Sequence, residues 1–230
     1  MSIISGQYGN REELCDTQGT KMLRDSMVQL QLACRGIDDP RVLTAMRDVP
    51  RHWFCLPGAT DEDAYGDYPL PIGWGQTISQ PLMVADMLQL LRLSGDETVL
   101  EVGAGSGYNA ALLSRLARRV VSLEIVPELA EKAQEILHRG GFGNVEVHCA
   151  DGSLGWPAAA PYDGIVVTAG APVIPAALRE QLRVGGRLVI PVGDFSIQTL
   201  LVVRRTAEGV RQEEHGGCRF VPLRGKGGWQ

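Results

Sequence analysis

Val99-Leu100-Glu101-Val102-Gly103-Ala104-Gly105-Ser106-Gly107 is the stretch on which the reading of this chain turns. Val99, Leu100 and Val102 form a short apolar run that reads as a buried strand, and glycines then stand at the alternate positions 103, 105 and 107. Removing every second Cβ lets the backbone turn tightly and press against a ligand. A dinucleotide-binding turn spaces its glycines as G-x-G-x-x-G, whereas here the third glycine comes one residue early and Tyr108 fills the expected position. The spacing therefore points away from an NAD-linked oxidoreductase. A second apolar run, Val120 to Leu123, ends at Glu124, where a strand would emerge beside the turn. A carboxylate there can accept both hydroxyl hydrogens of a ribose, and its offset from the glycines is close to the roughly 20 residues usual in such units. Glu124 can equally sit at the start of a helix near Pro127, and the two roles are compatible.

Outward from this turn, periodicity alternates. Pro81 opens an amphipathic helix with Val84, Met87, Leu88 and Leu91 on one face, leading into the glycine strand. Beyond Glu124 come a helix at about 127–139, strands at Val145–Cys149 and Gly164–Thr168, a helix near 175–182 and a strand at Arg187–Val192. Strands alternating with helices predict a doubly wound, mostly parallel sheet. The later runs Gln198–Arg204 and Arg219–Leu223 are too closely spaced for a helical crossover and are expected to pair antiparallel at one edge. Ahead of this core, residues 1–20 read as a loosely held arm. Lys21 to Arg35 reads as a helix burying Met22, Leu23, Met27, Leu30 and Leu32, and Asp39-Pro40 as the cap and first residue of a second helix ending at Pro50. Pro57 to Gly75, rich in Pro, Gly, Asp and Tyr, reads as a long irregular loop and a candidate lid. The expected organisation is a single domain over 1–230, with a helical extension and substrate loop in 1–80 and a cofactor-binding α/β core in 81–230.

The bulk numbers exclude several classes. With 44% apolar and 21% charged residues the 230-residue chain has the composition of an ordinary globular protein. A formal charge of −5 without a Lys/Arg cluster argues against a nucleic-acid groove. Five cysteines without C-x-x-C spacing read as free thiols of a reducing compartment, and the four histidines are not spaced with them as metal ligands. No secretory signal and no run of about 18 apolar residues is visible, so the expected location is the cytoplasm.

The alternating glycines, with Glu101 before them and Glu124 on the next strand, resemble motif I of the S-adenosylmethionine-dependent methyltransferases. The segment Leu70-Pro71-Ile72-Gly73-Trp74-Gly75-Gln76-Thr77-Ile78-Ser79-Gln80-Pro81 resembles the substrate-side motif of one family among them, the protein-L-isoaspartate O-methyltransferases. Further similar segments are Val49-Pro50-Arg51-His52-Trp53-Phe54, Asp151-Gly152 with Gly155-Trp156, Tyr162 to Thr168, Gln181-Leu182 through Gly193 and Phe220-Val221-Pro222-Leu223. Together they span about residues 40–223 in the family's order. Trp74 stands where the family more often has His or Tyr, Gly170 replaces a usual Ala, and residues 1–20 match nothing in the family.

The resemblance implies a Rossmann-like methyltransferase fold with an antiparallel C-terminal edge and an N-terminal helical extension. It implies binding of S-adenosylmethionine, and of its product S-adenosylhomocysteine, by Glu101, Gly103, Ala104, Gly105, Ser106, Gly107, Glu124, Ile125, Asp151, Gly152 and Thr168, with Asp151 on the adenine amino group. Catalytic roles fall to Ser79 and Thr77, and substrate contacts to Gly75, Gln76 and Ile78. The implied partner is a protein or peptide carrying isoaspartate, with no nucleic acid, no membrane and no metal, and the chain is expected to act as a monomer. The chemistry agrees with these residue types. A free α-carboxylate, with an ordinary pKa near 3.3–3.7, is already ionised at neutral pH, so hydroxyls that orient it suffice and no general base is needed. Ser79 could instead be only the N-cap of the helix that Pro81 opens. Two other functions stay open on sequence: methylation of aspartate in a dedicated modified peptide, and a non-catalytic cofactor-binding module.

Overall fold

The computed structural model describes residues 14–229. Helix α1 (Gln18–Ser26) is capped by the Thr17 hydroxyl and runs on through a π-helical turn at Met27–Leu32 and a short 3-10 turn at Ala33–Arg35. The helix is thus confirmed but starts earlier, inside the region read as an arm; residues 1–13 of that arm lie outside the described residues. The wider π turn shifts the phase of the apolar stripe. Met27, Val28 and Leu32 are buried, whereas Met22 and Leu30, expected inside, are 64% and 63% exposed. Helix α2 (Pro40–Asp48) starts as expected, with Asp39 Oδ1 accepting from Arg41 N at 2.9 Å and Pro40 in the first turn.

The stretch read as an irregular loop is more ordered than expected. It holds a short helix, α3 (Asp61–Ala64), closed by a capping box between Thr60 and Asp63, and a strand, β1 (Leu70–Gly73), paired antiparallel with β2 (Gln76–Ile78). Trp74 and Gly75 join them with φ of +51° and +70°, positive at both central residues as tight hairpins require. Composition hides this turn because Trp is an unusual residue for a left-handed conformation.

Helix α4 (Pro81–Leu91) leads into β3 (Thr98–Val102), followed by α5 (Tyr108–Leu116), β4 (Arg119–Glu124), α6 (Pro127–Arg139), β5 (Val145–Cys149) and β6 (Tyr162–Val167). Helix α7 (Ala176–Gln181), β7 (Leu182–Gly193), β8 (Gln198–Thr206) and β9 (Gly209–Cys218) complete the chain. The seven-stranded sheet has the order β5-β4-β3-β6-β7-β8-β9, parallel from β5 to β7 and antiparallel at β8 and β9. The central strands β3, β4 and β6 are buried on both faces, which explains their near-continuous apolar reading. Val99, Val120, Val166 and Val189 pack under the helices of one face, and their neighbours Leu100, Val121, Ile165 and Leu188 join the other, which α7 covers. The last strand was misplaced by sequence reasoning. β9 is exposed along nearly all its length and carries polar residues, so it shows no apolar signal, while Arg219–Leu223 crosses the end of the sheet, joined to it by a bridge between Pro222 and Gly170.

Replacing Asp39 by Ala should cost about 1 kcal/mol, read as a lower urea midpoint, with Asp39→Asn close to wild type. An unchanged midpoint for the Ala variant would mean that packing alone holds α2.

Candidate active site

The strand order reverses direction between β3 and β6, and a cavity opens there, outside the carboxyl ends of the parallel strands. Ligands of open α/β sheets bind at this place. Its floor is the turn that follows β3. Gly103, Gly105 and Gly107 have φ of +99°, +53° and +88°. At Gly103 space is as restrictive as conformation, because a Cβ would strike the Thr168 hydroxyl. That hydroxyl donates to the Gly103 carbonyl at 2.6 Å, closing β6 over the turn. Gly103 N and Ala104 N donate to Leu123 O at 2.8 and 3.0 Å, which fastens the turn to β4. Gly107 caps α5 and aligns that helix's N-terminus behind the turn.

Two carboxylates flank this floor in opposite environments. Glu124, at the end of β4, lines the cavity and accepts three backbone N–H groups: Gly105 at 2.8 Å, Ile125 at 2.9 Å and Val126 at 3.0 Å. Three of the roughly four lone-pair sites of a carboxylate are thereby taken. Two ribose hydroxyls donating to it would require one N–H to give way. Glu101 lies beneath the turn, fully buried and off the cavity lining, where Asn109 Nδ2 donates to it at 2.8 Å and the Ser122 hydroxyl donates to its other oxygen. Burial pushes its carboxyl up to about 7, and the Glu124 charge adds to the rise, against the lowering effect of its two donors. Sequence reasoning missed Asn109 and Ser122. The signal was available, since both are polar residues set in otherwise apolar runs.

Gly152 also lines the cavity, and a Cβ on it would lie 2.5 Å from Val102 Cγ1. Asp151 is not brought to the lining. Its carboxylate accepts from Ser153 N at 3.0 Å, the Ser153 hydroxyl at 2.6 Å and Lys226 N at 2.8 Å, so it anchors the C-terminal segment. That segment was not foreseen as part of the site, yet Phe220, Val221, Pro222, Leu223 and Arg224 form one wall.

The opposite wall is Gln76, Thr77, Ile78 and Ser79, with Gly75 just outside it. The N-cap of α4 is Gln80, and no side chain caps that helix, so the Ser79 hydroxyl is not spent on capping. Among the described residues, neither the Thr77 nor the Ser79 hydroxyl has a hydrogen-bond partner, and both residues border the cavity that Gly103, Ala104, Gly105, Ser106, Glu124, Ile125 and Thr168 also line. Trp74 stands at the hairpin tip outside this lining, with Lys132 Nζ of α6 at 4.5 Å from its ring centre. No cluster of metal-ligating side chains occurs among the described residues. A glycine-rich cradle, an acid beside it and two hydroxyls across the cavity fit a nucleoside-bearing cofactor facing an anionic substrate.

The sequence model of the family described as protein-L-isoaspartate(D-aspartate) O-methyltransferase matches residues 23–228. A protein from Marinobacter nauticus named protein-L-isoaspartate O-methyltransferase 2 is 54% identical over 216 residues, 93% of this chain and 98% of that one. A solved protein-L-isoaspartate O-methyltransferase superposes with a TM-score of 0.81 at 29% identity, covering 89% of this chain and 67% of the other. A Plasmodium falciparum structure described as a putative protein-L-isoaspartate O-methyltransferase in complex with S-adenosyl-L-homocysteine gives a TM-score of 0.76 at 26% identity, covering 87% and 98%.

The raised Glu101 carboxyl has a consequence for stability. The folded state keeps this proton up to about pH 7, whereas the unfolded chain releases it near the ordinary 4.5, so stability falls as pH rises through that window. Glu101→Gln keeps an acceptor for Asn109 and removes the titration. Its stability relative to wild type should rise between pH 4.5 and 7, by on the order of 1–3 kcal/mol in chemical unfolding. A pH-independent difference would place the Glu101 carboxyl in its ordinary range.

Proposed function

The chain belongs to the protein-L-isoaspartate(D-aspartate) O-methyltransferase family, and from that premise we propose how its own residues carry the reaction. The enzyme transfers a methyl group from S-adenosylmethionine to the free α-carboxylate of isoaspartyl residues in proteins, the step that starts repair through a succinimide. When bound, the cofactor supplies an electrophilic methyl group on a positively charged sulfur, which leaves as a neutral thioether. The glycine turn Gly103–Gly107, Glu124, Ile125, Gly152 and Thr168 hold it, and Glu101 and Asp151 act one step back, stiffening the turn and the C-terminal wall.

On the substrate side, the Ser79 hydroxyl donates to the α-carboxylate and fixes its direction. Thr77 assists, and the backbone of Gly75, Gln76 and Ile78 shapes the passage. No residue has to remove a proton, because the nucleophile is ionised well below neutral pH. The cavity fits this demand: the acid that lines it, Glu124, is committed to three backbone donors, and the Thr77 and Ser79 hydroxyls are uncommitted. Rate comes from holding two reactants close and in line, an effect worth several powers of ten. The observation that carries the proposal is that the 77–79 hydroxyls and the glycine turn border one cavity. In this division the substrate groups come from residues 1–80 and the cofactor groups from 81–230, within one methyltransferase domain.

A cytoplasmic monomer acting on polypeptides belongs to the same proposal. A net charge of −5 suits a polypeptide partner better than nucleic acid, and a monomer has the whole site within one chain. No helix among the described residues is long and apolar enough to cross a membrane. The free cysteines suit the cytoplasmic setting proposed here.

Ser79→Ala should lower kcat on an isoaspartyl peptide about 10- to 100-fold, as expected for losing one positioning hydrogen bond, while the Kd for S-adenosylhomocysteine stays within twofold. Wild-type turnover in this variant would remove Ser79 from the mechanism. Thr77→Ala should have a smaller effect in the same assay.

A further inference from the structure

The turn between β7 and β8 presents two large apolar side chains to water: Phe195 is 60% exposed and Ile197 61%. Tight turns normally carry polar residues at such positions. This one is also rigid. Asp194 Oδ1 accepts from Ser196 N at 2.7 Å, the Ser196 hydroxyl at 2.6 Å and Ile197 N at 2.9 Å, while Asp194 N donates to Ile197 O at 3.1 Å. The apolar pair is therefore held outward by a preorganised loop, at the expense of leaving it in water.

Its place in the fold gives it meaning. β7 runs parallel to β6, so the turn after Gly193 sits at the same edge of the sheet as the cavity. Two tethers join it to the cavity wall. The Phe195 ring stacks on Trp229 with centroids 3.9 Å apart, and Trp229 Nε1 donates to Gly170 O at 3.0 Å, two residues from Thr168. Gln198, buried at the foot of the turn, accepts from Phe220 N at 2.8 Å, and Phe220 lines the cavity. A polypeptide that lowers one residue into this cavity must leave across the carboxyl edge of the sheet, and beside the cavity wall that edge carries a fixed apolar step. Two side chains cannot supply the roughly 800 Å² per partner that a stable subunit contact needs, so a second copy of the chain is a poor occupant.

We propose that the Phe195–Ile197 turn is a substrate subsite, which receives an apolar side chain of the extended polypeptide flanking the residue to be methylated. The inference rests on the isoaspartyl reading above. The turn acts by binding flanking chain in ground and transition states alike, so its effect falls on KM rather than on kcat.

The test uses the full chain and two isoaspartyl peptides, one with Leu at two positions on each side of the isoaspartate and one with Ser there, with labelled S-adenosylmethionine as donor. Wild type should show a KM about 10-fold lower for the Leu peptide, and the double variant Phe195→Ser with Ile197→Ser should lose that preference, burial of one aliphatic side chain being worth about that factor. Unchanged S-adenosylhomocysteine binding verifies that the variant is folded, and Ile197→Ser alone, which leaves the Phe195–Trp229 stack in place, should lose part of the preference. Equal KM values for the two peptides in wild type, or a preference retained in the double variant, would overturn the subsite while leaving the methyl-transfer reading intact. Failure of wild type to label either peptide would overturn that reading and the subsite with it.

Discussion

The site depends on a close approach of bare backbone at residues 103–107. Three neighbouring strand tips converge there: β3 supplies the turn, β4 accepts its first two N–H groups at Leu123 O and a third at Glu124, and β6 closes over it through Thr168. With positive φ at 103, 105 and 107 and no room for a Cβ at 103, side chains are excluded by conformation and by space together. The result is a tight turn, with side chains only at Ala104 and Ser106, at the switch point of the sheet and backed by the N-terminus of α5. Everything that touches a ligand is placed relative to that turn.

Glu101 and Glu124 show how environment divides labour between identical groups. Glu124 meets three main-chain donors at the cavity edge, and its position is therefore fixed by the same turn it supports. Glu101, sealed beneath, joins α5 through Asn109 to β4 through Ser122, so its carboxyl links a helix and a strand that the turn itself must separate. A buried acid of this kind costs free energy when ionised. Its cost is spread over a network that stiffens the floor of the cavity.

Much of this was legible in the amino-acid sequence because strands buried on both faces announce themselves as apolar runs, and because prolines at 40, 81 and 127 mark helix starts. The glycine turn and Glu124 could be read from spacing alone. The hydroxyls at 77 and 79 stood out only through the family resemblance, since a Ser two residues before Pro81 also reads as a cap. What remained hidden depended on tertiary context. Leu30 is rotated to solvent by a π turn that no local pattern signals, Met22 stands on the face of α1 opposite Met27, and β9 is an exposed edge with no apolar face. The wall formed by residues 220–224 looked like a strand because its apolar residues face a cavity and the sheet edge instead of a strand partner. Asp151 read as a ligand contact because an Asp-Gly pair after a strand suits one, yet its carboxylate is held by Ser153 and the backbone of Lys226.

The most direct measurement is a crystal structure with S-adenosylhomocysteine and an isoaspartyl peptide bound together. The expected result places the nucleoside across the 103–107 turn and the peptide α-carboxylate within hydrogen-bond distance, about 2.6–3.2 Å, of the Ser79 hydroxyl, facing the sulfur. A carboxylate bound elsewhere, with the hydroxyls of residues 77 and 79 turned from it, would contradict the central claim.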